Sequence, residues 1–262
     1  MQEDGRALVR FRNNSDFVNA TLGIVLPALL EFGGAAFKGT TILKQMGDTP
    51  VCHVCSLGTR CQSSQLLLET GLKKESYPFD WVFSSPADIE HILDDDFRSF
   101  LNKEMYGGKG PDQCDHTLYG KCMFNHHNPK DNDDHYLYFT RCVGRFRALL
   151  GRETGKLFVM TFLNLENAAE CVTDVRAQAA QLNLYLSSKT CNYRLFVICH
   201  VPNCDAFDAD VVDVGNIRFV TLHTTSLSDG VHLKDGHEDA MLRRLLLDGY
   251  DFKVESLDGS NE

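Results

Sequence analysis

A chain of 262 residues with 43% hydrophobic and 24% charged residues has the composition of a globular protein and the length of one large domain or two small ones. Acidic residues outnumber Lys and Arg 36 to 26, and the formal charge of −10 excludes a general nucleic-acid binder, since no basic excess exists to displace counterions from phosphate. Ten cysteines are scattered without the dense spacing of a disulfide scaffold, which points to a reducing, cytoplasmic compartment.

The start lacks a basic segment followed by an apolar core, so no signal peptide is read. Residues Thr21 to Leu30 are apolar but too short to span a bilayer, and Pro27 and Glu31 break the run. Residues 1–48 read as an N-terminal extension, 49–255 as a single α/β catalytic domain and 256–262 as a disordered tail. Within the domain, Val51 to Leu57 is an apolar strand and Gln62 to Thr70 a helix closed by Gly71. Ser76 to Phe83 is an aromatic turn, and Pro86 opens a helix through Leu93. Residues 105–133 read as loop. Helices follow over 134–150, 167–186 and 238–247, with strands over 157–162, 194–200 and 217–222.

Alternating strands and helices predict an α/β fold: a mostly parallel open sheet with helices on both faces, three-layered and Rossmann-like. Ligands in such sheets bind beyond the carboxyl ends of the strands, which places Ser56, Gly58, Cys61, Asn164, His200 and His223 near the working edge. Cys61 is the leading feature there. It stands at a strand-to-helix junction, where helix N–H groups and the neighbouring Arg60 both favour a thiolate, the form that attacks an electrophile.

The run Ser56-Leu57-Gly58-x-x-Cys61, followed by Ser76-Tyr-Pro-Phe-Asp-Trp81, resembles a family described as putative papain-like cysteine peptidases. The likeness extends over roughly residues 50–165. It implies Cys61 as nucleophile, His126 as its base and Asn164 or Asn125 as the group orienting that base. The alternating pattern departs from the two-lobe papain architecture, so the resemblance is carried over for the nucleophile and not for the fold.

Near the C-terminus, Asp229-x-x-His232 ahead of a helix resembles the last block of SGNH hydrolases, in which an aspartate orients a histidine that activates a serine. Ser56 holds the matching position after the first strand. A combined set of Asp229, His232 and Cys61, with Gly58 and helix amides as oxyanion donors, is a further expectation. Asp80 and Trp81 are read as loop anchors that could also line the site, and Arg60 and Arg145 as substrate contacts. Cys114, His116, Cys122, His126, His127 and His135 are metal-capable types, but their spacing fits no standard zinc motif, and neither metal nor cofactor is assigned.

The preferred reading is a hydrolase or acyltransferase that uses Cys61 on a small-molecule, peptide or glycan substrate. The alternatives are a serine esterase or carbohydrate O-acetyl-processing enzyme using Ser56, Asp229 and His232, and a sugar- or nucleotide-sugar-binding transferase in which Cys61 is structural. No membrane span is expected, and no oligomeric state is read.

Overall fold

A computed structural model describes residues 35–36, 46–166 and 168–257. The expected extension up to residue 45, apart from 35–36, and the tail from 258 onward lie outside the described residues. The strands are β1 Ala35–Ala36, β2 His53–Ser56, β3 Tyr106–Gly110, β4 Gln113–His116, β5 Gly120–Phe124, β6 Lys156–Phe162, β7 Tyr193–Val201, β8 Asp208–Val214 and β9 Ile217–His223. The helices are α1 Gln62–Glu69, α2 Pro86–Asp94, α3 Asp133–Leu150, α4 Ala168–Leu186 and α5 Gly236–Asp248.

The large sheet runs in the order β1-β8-β9-β7-β6-β2. Neighbours β2, β6, β7 and β9 are parallel, and β8 lies antiparallel against β9. Both faces are covered, which is why the strands read as continuous apolar runs. In β6, Leu157 and Val159 face one way and Phe158 and Met160 the other, all buried. The first pair joins Leu66 and Leu67 of α1 and Leu242, Leu245 and Leu246 of α5. The second joins Ile89 of α2, Phe146 of α3 and Leu182 of α4. The expected three-layer arrangement with an open, mostly parallel sheet is present.

Two expectations need correction. Residues 105–133 hold a three-stranded antiparallel sheet, β3-β4-β5, in a stretch rich in Gly and Asn. Strand β8 was also not anticipated, because Asp208, Asp210 and Asp213 are poor strand formers; cross-strand pairing with β9 overrides that preference. Among the described residues no helix is long and apolar enough to cross a membrane.

One buried histidine ties the carboxyl edge of the sheet together. His200, near the end of β7, is fully buried. Its Nδ1 accepts from the Asn164 amide at 3.2 Å, and Nε2 lies 2.6 Å from Thr224 Oγ1, which in turn donates to Ser226 O at 2.7 Å. This pattern suits the neutral tautomer with its proton on Nε2, since a proton on Nδ1 would face the Asn164 N–H. Burial pushes its pKa down from 6.5 to about 4. An unfolded chain takes up this proton near 6.5 while the folded one resists it to about 4, so stability is complete above the first value and lost as pH falls toward the second. The shift amounts to roughly 3 kcal/mol. Guanidinium unfolding at pH 7.5 and pH 4 should show His200→Asn losing about that much of the wild-type pH dependence; an unchanged dependence contradicts this role.

Candidate functional site

The chain leaves β2 through a strained turn. Gly58 and Thr59 both have left-handed backbone, φ +73° and +63°, the second unusual for a β-branched residue. A Cβ on Gly58 would stand 2.8 Å from Phe79 O, so only glycine fits under the 76–84 loop. Ser56 Oγ accepts from Gly58 N at 3.1 Å and lies 2.7 Å from Ser63 Oγ; Thr59 Oγ1 donates to Thr161 O. Fully buried and committed to closing this turn, Ser56 has no imidazole partner among the described residues. That corrects its expected role as an esterase nucleophile.

Cys61 is the N-cap residue of α1, and its side chain makes no capping hydrogen bond. The placement is as expected; the ionisation is not. The residue is 2% exposed, and burial pushes its thiol up to about 11, with Arg60 opposing and no histidine contributing. Next to it, both polar atoms of the buried Gln62 side chain lack a partner among the described residues. Arg60 is exposed, donates to Thr59 O and stacks over Phe83 at 4.7 Å. It borders a cavity of about 280 Å³ between the ends of β2 and β6, with Phe162, Leu163 and Leu165 on its wall and Gln178 of α4 beside them.

The residues expected around Cys61 are elsewhere or engaged. His126 packs edge-on against Trp81 at 5.8 Å, with Asn125 3.4 Å from its Nε2. Asn164 spends its side chain on Ser228, accepting from its N at 2.9 Å and donating to its O at 3.0 Å, so it orients a loop and not a base. Asp229 Oδ1 accepts the Val231 and His232 backbone amides at 2.8 and 2.7 Å. The His232 ring turns away from it to Glu69, 2.8 Å distant at the far end of α1. Glu69 lies eight positions along the helix from Cys61, roughly 12 Å at 1.5 Å per residue. The Asp229, His232 and Cys61 set is therefore not assembled.

The 76–84 loop is an anchored cover. Asp80 is buried, accepts from Tyr77 N at 2.9 Å and pairs with Lys73 at 2.6 Å. Lys73 also donates to Ser64 Oγ at 2.5 Å and stacks on Trp81 at 5.0 Å. Arg145 donates to Ser76 O at 3.1 Å, which replaces its expected contact with substrate. Phe79 packs among Phe97, Phe100 and Phe146 at ring distances of 6.0, 6.3 and 5.5 Å. In the Cys/His-rich stretch His116 stacks on Tyr119 at 4.4 Å, while His127 stacks on Tyr138 at 4.8 Å and meets the His135 ring edge-on at 5.0 Å. Among the described residues no group of three or more His, Cys, Asp or Glu is placed to hold a metal ion.

A thiol–imidazole contact lies on the other side of the same edge. Cys204 Sγ is 3.8 Å from His223 Nδ1, and His223 Nε2 is 3.6 Å from Asp210 Oδ2. His223 was placed at the edge from the sequence. Asp210 was missed with its strand, and Cys204 sits in a loop of no regular pattern.

Removing one member of the buried Asp80–Lys73 pair leaves the other charge uncompensated. Asp80→Ala should lower the unfolding free energy by about 3 kcal/mol in chemical denaturation, and a loss below about 1 kcal/mol contradicts the anchoring role.

Comparison with curated proteins and comparison with solved structures each find no match. A family model described as "putative papain-like cysteine peptidase" matches residues 52–117, about a quarter of the chain, spanning β2, the strained turn with Cys61, the 76–84 cover, α2 and the opening of the small sheet.

Proposed function

We propose that the protein is a thiol-dependent hydrolase that cleaves an ester or amide bond at the carboxyl edge of its parallel sheet. One observation carries the reading. The segment matched by the cysteine peptidase family builds, directly after β2, a strained turn that delivers a thiol to an uncapped helix start. Backbone held in left-handed conformation at a β-branched residue costs on the order of 1–3 kcal/mol and persists where the surroundings over-determine it, a pattern that clusters at reactive sites. First-turn amides of α1 and the unpartnered Gln62 amide are donors of the kind that stabilise a developing oxyanion. The cavity beside Arg60 has room for the acyl part of a substrate.

Attack by Cys61 itself requires two departures from the described arrangement. The packing that buries it must open, and a base must arrive to take a proton that burial holds to about 11. A serine esterase built on Ser56 is disfavoured because Ser56 is buried and tied to Ser63 and Gly58.

Hydrolysis of a panel of aryl esters and peptide amides should be abolished by exhaustive alkylation with iodoacetamide and unaffected by a fluorophosphonate; the reverse sensitivity overturns the thiol reading. At pH 7.5, Cys61 should alkylate at least about 100-fold more slowly than an unperturbed thiol, accelerating toward pH 11, since a pKa raised from 9.0 to about 11 leaves that much less thiolate. Labelling of Cys61 as fast as free cysteine contradicts the sealed state.

A further inference from the structure

We infer that Cys204, His223 and Asp210 form a thiol centre in which Cys204 is the nucleophile, His223 its general base and Asp210 the carboxylate that orients and stabilises the base. The acyl-cleaving use of this centre rests on the proposed hydrolase activity; the arming of the thiol does not.

The three side chains converge because of strand register. On β9, His223 and Thr221 project to the same face, and β8 pairs Asp210 opposite Thr221. Asp210 and His223 are thus diagonal cross-strand neighbours, a spacing that long side chains bridge. The Cys204 loop is fixed by backbone bonds, Cys204 N donating to Thr224 O at 2.8 Å and Thr224 N to Val201 O at 3.0 Å. Those bonds hang on the residue whose hydroxyl meets His200.

Chemically, the arrangement is ordered. With Nδ1 facing the thiol and Nε2 facing a carboxylate, His223 in its Nε2–H form accepts the Cys204 proton on Nδ1, and the imidazolium that results is paired with Asp210. Separations of 3.8 and 3.6 Å are looser than a transition-state hydrogen bond, as resting sites often are. In the described arrangement the Cys204 thiol also faces Val201 O at 3.6 Å and Pro202 O at 3.9 Å. Unlike Cys61, Cys204 is only half-buried and His223 and Asp210 are partly exposed, as a centre open to an acyl substrate requires. Arg176 of α4 supplies a donor on the same face. Its NH2 group donates to Thr221 Oγ1 at 2.7 Å, while its buried Nε has no partner among the described residues. Thr221 lies two strand positions from His223, roughly 7 Å.

The reaction then balances without any additional reagent. His223 removes the thiol proton, and sulfur bonds to the carbonyl carbon as the carbonyl electron pair moves onto oxygen. Collapse breaks the bond to the alcohol or amine, which leaves with the proton from His223. Water, deprotonated by His223, attacks the thioester; the acid departs and Cys204 recovers its proton.

Site-resolved alkylation by iodoacetamide, read by peptide mass at pH 7, tests the centre on the intact chain. Cys204 should label faster than free cysteine and slow by about tenfold or more in both His223→Gln and Asp210→Asn, with thermal unfolding reporting that each variant folds. Labelling of Cys204 no faster than free cysteine, or rates indifferent to His223→Gln, overturns the centre. In the ester assay, Cys204→Ala should lose about 100-fold or more of the activity, the usual worth of a nucleophile–base pair, while Cys191→Ser, at an exposed thiol, should not. Retained activity in Cys204→Ala overturns the assignment of Cys204 as nucleophile. Fast, His223-dependent labelling in a protein that hydrolyses nothing supports the armed thiol and overturns the hydrolase reading instead.

Discussion

The hydrogen bonds of one neutral imidazole hold the working edge of this fold. His200 is buried at the end of the central strand, with the loop after β6 on one ring nitrogen and the loop after β9 on the other. From those two attachments the rest of the edge is determined. Asn164, positioned by its amide on His200, clasps Ser228 with both ends of its side chain. Thr224, positioned by its hydroxyl, receives the Cys204 amide and so brings that loop against His223. A polar network of this kind rigidifies only because each member is satisfied, and the low dielectric that strengthens it also makes a lost partner costly.

Two thiols at this edge differ in character, and magnitudes decide which effect wins. At Cys61 the helix terminus and Arg60 favour the thiolate, but a helix end contributes only about 0.3–1 kcal/mol and α1 is two turns long. Desolvation works against them and wins, pushing the thiol up to about 11, which favours the protonated form by about 2.7 kcal/mol. At Cys204 no helix dipole is involved; an imidazole backed by a carboxylate stands beside a half-buried sulfur. The family segment thus supplies the strained turn and the cover, while strand register supplies the base. The anchors of the cover, Asp80 on Lys73 and Phe79 among three other phenylalanines, hold the 76–84 loop against the Gly58–Thr59 turn that precedes Cys61.

Much of the fold was legible because its signals are local. Continuous apolar runs marked β6, β7 and β9, and the Ser85-Pro86 start marked α2, where the structure adds a capping box between Ser85 and Asp88. Strands β3 to β5 and β8 were not legible, since glycines and aspartates say loop and only pairing partners distant in sequence make them strands. The site failed for the same reason. Asp229 and His232 have the spacing of an orienter and a base, yet the carboxylate closes its own turn and the ring finds Glu69, a residue 163 positions away. Asp210 and His223 share no motif at all; a two-residue offset across an antiparallel pair brings them together, and nothing in a linear pattern records that offset.

Trapping the acyl-enzyme is the most direct test of where the chemistry occurs. The protein would be mixed with a slowly deacylating ester, quenched in acid and digested, and the thioester located by mass. The acyl group is expected on the peptide carrying Cys204. Finding it on Cys61, or on Ser56, would contradict the central claim that strand register arms the nucleophile.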